Sequence, residues 1–147
     1  MSRKDKIRIF VAIVFVSTLI PIPYRAAPDW KVWVVDESGK PVPGMTVRLE
    51  YENYSVESTS HEEDQWSDQQ GHAHFKARNG WAPTLQRCYY SALSAMAFVH
   101  ASFGPHDSVF AFGNGLEGYA LTGAYITDWT GQPVLMESHI IVKHAKN

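Results

Sequence analysis

Two runs in which apolar and polar residues alternate do most to limit what this chain can fold into. In the first, Val32 and Val34, then Val47, Leu49 and Tyr51, take every second position, with Lys31, Trp33, Arg48, Glu50 and Glu52 between them. A period of two is the pattern of strands with one buried and one wet face. Asp36-Glu37-Ser38-Gly39 supplies turn chemistry, because Gly accepts positive φ and Asp bonds forward to the backbone. Pro41 and Pro43 fix φ and remove two donors, which keeps their linker out of a sheet interior. Further on, Asp68-Gln69-Gln70-Gly71 repeats the turn. His72-Ala73-His74-Phe75 then repeats the alternation, with Ala73 and Phe75 on one side and both histidines on the other. The expected fold class is mainly β.

The string Gly39-x-Pro41-Val42-x-Gly44-x-x-Val47, followed by Asp68-x-x-Gly71-x-Ala73-x-Phe75, resembles the carboxypeptidase regulatory-like domains. These share a transthyretin-like (prealbumin-like) β-sandwich. The resemblance covers roughly the first half of the chain beyond its N-terminal apolar segment. It implies a seven-stranded Greek-key sandwich, used in bacterial cell envelopes as a binding or spacer module. It brings no catalytic residues and no cofactor.

At 147 residues the chain suits a single domain with a core large enough to be stable alone. Cys88 is the one cysteine, so no intrachain disulfide can form and the fold must rest on apolar packing. Five basic residues (Arg3, Lys4, Lys6, Arg8 and Arg25) but only Asp5 among the acids precede Ala26. The remainder carries 8 basic against 14 acidic residues, a net of −6. Such a surface has no basic stripe to neutralise phosphates, which argues against nucleic acid or anionic lipid as a partner.

Residues 1–8 are a positive segment and residues 9–22 an apolar run broken only by Ser17, Thr18 and Pro21. This is the pattern of an export signal. The run is shorter than the roughly 20 residues of a comfortable membrane span. That favours a signal peptide, yet a cut after Ala26 or Ala27 puts Tyr24 or Arg25 where a small residue is wanted. Residues 1–27 are therefore expected to be a signal peptide or an N-terminal anchor in the inner membrane, and 28–147 the sandwich domain. The expected address is outside the cytosol, in the periplasm, in the cell envelope or secreted.

Residues 54–70 turn acidic and polar, as a long loop or a weak edge strand does. After Asn79 the period changes. Pro83 suits the first turn of a helix, and Leu85, Cys88, Tyr89, Ala92, Leu93 and Met96 recur at helical steps, predicting about three turns of inserted helix. Residues 97–103 and 108–112 read as two buried strands of a hairpin turned at 104–107. Residues 113–118, with three glycines, read as a loop. Residues 119–126 read as a strand, 128–133 as a turn, and 138–143 as the closing strand.

His72-x-His74 is the sharpest chemical candidate, since residues two apart on a strand share a face and can share a metal ion. His61, with Glu62, Glu63 and Asp64, could complete such a site; a solvated strand face carries the same residues. Trp66 and Trp129 sit in polar stretches, where exposed indoles can stack on sugar rings. With His106 and Asn114 in the loops they form the expected ligand surface. Gly113-x-Gly115-x-x-Gly118 lacks the strand and helix that nucleotide binding requires, and no serine stands in a nucleophile elbow. The expected function is a non-catalytic, exported binding module of the cell envelope, whose partner is a glycan or an envelope protein. The alternatives are a metal-dependent enzyme built on His72 and His74, and a structural spacer or assembly element.

Overall fold

A computed structural model describes residues 1–120 and 135–145. Helix α1 (Arg3–Thr18) leads into strand β1 (Pro21–Ala27). Strands β2 (Asp29–Val35), β3 (Thr46–Asn53), β4 (His61–Trp66), β5 (His72–Phe75) and β6 (Arg78–Pro83) follow. Helix α2 (Thr84–Ala95) and a 3-10 turn (Phe98–His100) precede strands β7 (Pro105–Gly113), β8 (Leu116–Ala120), β9 (Leu135–Ile141) and β10 (Lys143–His144).

The chain is mainly β, with its described strands in three sheets. A five-stranded sheet runs β10-β8-β7-β3-β4, a three-stranded sheet runs β5-β2-β9, and β1 pairs with β6 in a two-stranded ribbon. The larger two sheets bury their inner faces in one common core. Trp30, Val32, Val34, Ala73, Phe75 and Ile140 come from the three-stranded sheet, and Val47, Leu49, Val109, Ala111 and Ala120 from the five-stranded one. Of these, Val32, Val34, Val47, Leu49, Ala73 and Phe75 are alternate positions that the sequence pattern assigns to an inner face. Trp30 is fully buried and its indole N–H donates to Ser138 Oγ at 3.0 Å, so the ring's one polar atom is satisfied in the core. That bond joins β2 to β9, which pair in parallel.

Both Asp/Gly turns form as the sequence predicts. Asp36 Oδ1 accepts from the backbone of Ser38 and Lys40, and Asp68 Oδ1 from the backbone of Gln70 and His72, each at 2.8 or 2.9 Å. Gly71 has φ +75°, and a Cβ there would collide with the Val34 carbonyl oxygen. Only glycine fits this turn.

Several elements differ from expectation. Residues 97–103 are no strand: α2 ends at Ala95 and Phe98–His100 make a 3-10 turn, so β7 pairs with β3 and β8 instead. In β7, Val109 and Ala111 point into the core while Phe110 and Phe112, expected to be buried, are on the other face. The glycine-rich segment 113–118 is mostly strand. Asn114 (φ 51°) and Gly115 (φ 74°) make a tight β7–β8 turn, whose positive φ pair is what a two-residue hairpin needs. Gly118 lies within β8, paired with Ala111, and a Cβ there would stand 2.6 Å from the Ile141 carbonyl oxygen, so the close approach requires glycine. Residues 54–70, by contrast, hold the edge strand that was one of the two expectations for them, β4 of the larger sheet. Residues 21–27, expected to belong to the targeting segment, form β1; Ala26 and Ala27 are 8% and 0% exposed. The expected strand 119–126 and turn 128–133 lie largely outside the described residues, as does Trp129.

Candidate functional site

The outer face of the five-stranded sheet presents an aromatic strip. Because side chains alternate along a strand, burying Val109 and Ala111 turns Phe110 and Phe112 outward. Cross-strand pairing sets Tyr119 beside Phe110, and the rings stack: centroids are 5.7 Å apart for Phe110–Tyr119 and 5.8 Å for Phe110–Phe112, with interplanar angles of 27° and 28°. Arg48, opposite Phe110 on β3, lays its guanidinium 5.4 Å from the Phe112 centroid. Asp64 on β4 holds that guanidinium by two hydrogen bonds, at 2.7 and 2.8 Å, and Glu62 pairs with its remaining nitrogen. The bidentate bond keeps Asp64 below the usual carboxylate range and fixes the cation over the ring. Trp66, at the end of β4, is 72% exposed and Tyr119 63%. The strip is thus a shallow platform of rings bordered by carboxylates.

Next to it, where β3 pairs with the start of β7, lies a cavity of about 190 Å³ whose lining includes Glu50, Glu52, Tyr54, His106, Asp107 and Ser108. His106 is on a strand and not in a turn as expected; it lies opposite Glu52 and edge-on to Tyr54 at 5.2 Å. Burial, and then the neighbouring Glu57 charge, push the Glu52 carboxyl above its ordinary value. Asn114, in the β7–β8 turn, is exposed.

The histidines expected to share a metal have separate partners. On the outer face of the three-stranded sheet Trp33 lies between His72, edge-on at 5.4 Å, and His139, stacked at 5.1 Å. His74 Nε2 is 2.8 Å from Asp29 Oδ1. His61 is on β4 in the other sheet, where it stacks on Tyr51 and its Nε2 meets Glu57 Oε2 at 2.8 Å. Among the described residues no group of three or more His, Cys, Asp or Glu is placed to hold an ion.

Two features escape the sequence. The outward pair Phe110 and Phe112 was hidden inside an apolar run, though the alternation with Val109 and Ala111 was there to be counted. Asp107, assigned to a turn, is on the inner face of β7 at 7% exposure, and neither carboxylate oxygen has a hydrogen-bond partner among the described residues. Burial alone pushes its carboxyl up to about 7. Among known proteins, no family model matches this chain, and neither does any curated protein or solved structure.

Proposed function

We propose that this chain is a non-catalytic binding module of the cell envelope, held at the inner membrane by α1, that binds a neutral glycan across the outer face of its five-stranded sheet. The observation that supports this is the ring strip of Phe110, Phe112 and Tyr119 with its bordering acids. Aromatic faces accept the C–H faces of sugar rings, and flanking carboxylates accept hydrogen bonds from hydroxyls. The acidic surface disfavours polyanionic ligands. A binding role also suits the carboxypeptidase regulatory-like module that the turn pattern resembles.

Retention of α1 is favoured by what a cut after Ala26 or Ala27 would do. Either cut would remove β1 or all but its last residue and expose one edge of β6, and the cut after Ala27 would also take a fully buried alanine from the core. Among the described residues no helix is long and apolar enough to cross a membrane. The 16 residues of α1 reach about 24 Å, against a hydrocarbon core of about 30 Å. An anchor this short draws on local bilayer thinning and on snorkelling of Arg3, Lys4, Lys6 and Arg8.

The test is binding of the full chain to an array of neutral polysaccharides, repeated with Tyr119→Ala and Phe110→Ala. Tyr119 is largely exposed, so its truncation leaves the fold intact. Loss of about tenfold in affinity per ring is expected, roughly 1.4 kcal/mol. No binding across the array, or binding unmoved by both variants, would overturn the proposal.

A further inference from the structure

Helix α2 has its faces reversed relative to an ordinary surface helix. The residues it turns toward the body are Thr84, Arg87, Tyr90, Ser91 and Ser94, all half-buried. They dock by polar contacts: the Arg87 guanidinium donates to the Ile22 and Pro23 carbonyls at 3.1 and 3.2 Å and lies over the Tyr24 ring, and Ser94 Oγ donates to the Ser102 carbonyl. The apolar stripe points away. Leu85, Tyr89, Leu93 and Met96 are 45%, 59%, 44% and 72% exposed, and no residue of α2 is buried. The 3-10 turn extends the stripe with Phe98 and Val99, 85% and 92% exposed. Phe98 takes a left-handed backbone (φ 49°), an unfavourable conformation for a bulky residue, and its ring gains no burial within the chain.

What covers the stripe is indicated by where α2 begins. In the β1–β6 ribbon Pro21 pairs with Pro83. Only two residues separate Pro21 from the end of α1, and Pro83 is the N-cap of α2. The apolar helix therefore ends where the reversed helix starts. Helix α1 is itself apolar and exposed over most of its surface, with no residue buried. Ile22 and Trp81 lie on the ribbon close to this junction, 46% and 68% exposed, and indoles favour the headgroup level of a bilayer. Charge points the same way. Residues 84–103 contain no acid, while 14 acids follow Ala26 in the chain as a whole.

We propose that α2 and the 3-10 turn lie on the same bilayer that α1 enters, with Leu85, Tyr89, Leu93, Met96, Phe98 and Val99 at the headgroup and acyl-chain boundary. This rests on the reading of α1 as a membrane anchor. A short anchor draws Pro21, and with it Pro83, down to the interface. The body then stands on the membrane through two contacts and not one.

Cys88 lies on the outward side of α2 and is the only thiol in the chain, so it takes an environment-sensitive NBD label without further mutation. The full chain is reconstituted in phosphatidylcholine–phosphatidylglycerol vesicles. A second sample carries Cys88→Ser and Ile13→Cys and is labelled within α1. The expected result is blue-shifted emission at both sites, with quenching by nitroxide-bearing lipid and little by aqueous iodide. Lipid quenching at the Ile13→Cys label with full iodide access at Cys88 would overturn the proposal while sparing the anchor. Shielding of Cys88 from iodide without lipid quenching would also overturn it, since the stripe would then be covered by protein, including a second copy. Absence of lipid quenching at both sites would reject the anchor and the proposal together.

Discussion

Strand β2 and helix α2 are both amphipathic, and they place their apolar faces in opposite directions. Trp30, Val32 and Val34 are 0–1% exposed beneath a second sheet. Leu85, Leu93 and Met96 face away from the body, while Arg87 and Ser94 bind it through carbonyl oxygens. The comparison teaches that a periodic apolar stripe specifies contact with something apolar; it does not specify that the something belongs to the same chain. In the sandwich the partner is another sheet. At α2 the stripe is left exposed, and the helix docks through its polar side.

The contrast breaks most visibly at Trp30. Trp30→Ala empties the largest buried side chain and orphans the Ser138 hydroxyl, and it is expected to cost about 3–5 kcal/mol, read as a lower urea midpoint. Asp107→Asn is expected to act next, and in the stabilising direction. With its folded-state value near 7 against 3.8 unfolded, the buried acid keeps its proton while the unfolded chain releases one. Wild-type stability therefore falls as pH rises from about 4 to 7 and levels off above that, by an amount on the order of 2–4 kcal/mol. The Asn variant flattens that profile, so urea titrations at pH 4.5 and 8 check both the sign and the window. The smallest effect is expected on α2. Leu93→Ser in detergent-solubilised protein changes stability by less than about 0.5 kcal/mol, whereas Val32→Ser in the core of β2 is expected to cost about 2–3 kcal/mol. A large loss from Leu93→Ser would mean that the stripe packs against the body after all.

The alternation at Val32, Val34, Val47 and Leu49 was enough to place the core, because a strand with one wet face leaves its period in the sequence. The turn acids Asp36 and Asp68 were legible for a similar local reason. Other features needed tertiary information. Periodicity located the apolar stripe of α2 within a residue of its observed position, but a helix projection carries no sign for inward or outward. Residues 98 and 99 have strand-forming side chains, and the helix end overrode that preference. The Asn114-Gly115 pair is a strong hairpin signal that was lost among neighbouring glycines. Of the candidate site, Trp66 and His106 are on or beside the exposed sheet face, while the strip of Phe110, Phe112 and Tyr119 depends on a register between strands that composition cannot give. The burial of Asp107 likewise depends on which face of β7 meets the core.

The parallel pairing of β2 with β9 has a consequence for how the molecule is made. Trp30 reaches its partner Ser138 across 108 residues, and β2 is the middle strand of its sheet. A chain threaded through a narrow pore from its N-terminus cannot finish that layer until almost all of it has emerged. Such late closure slows folding, and under the proposed export it would keep the polypeptide pliable during passage and leave the final locking step to the far side.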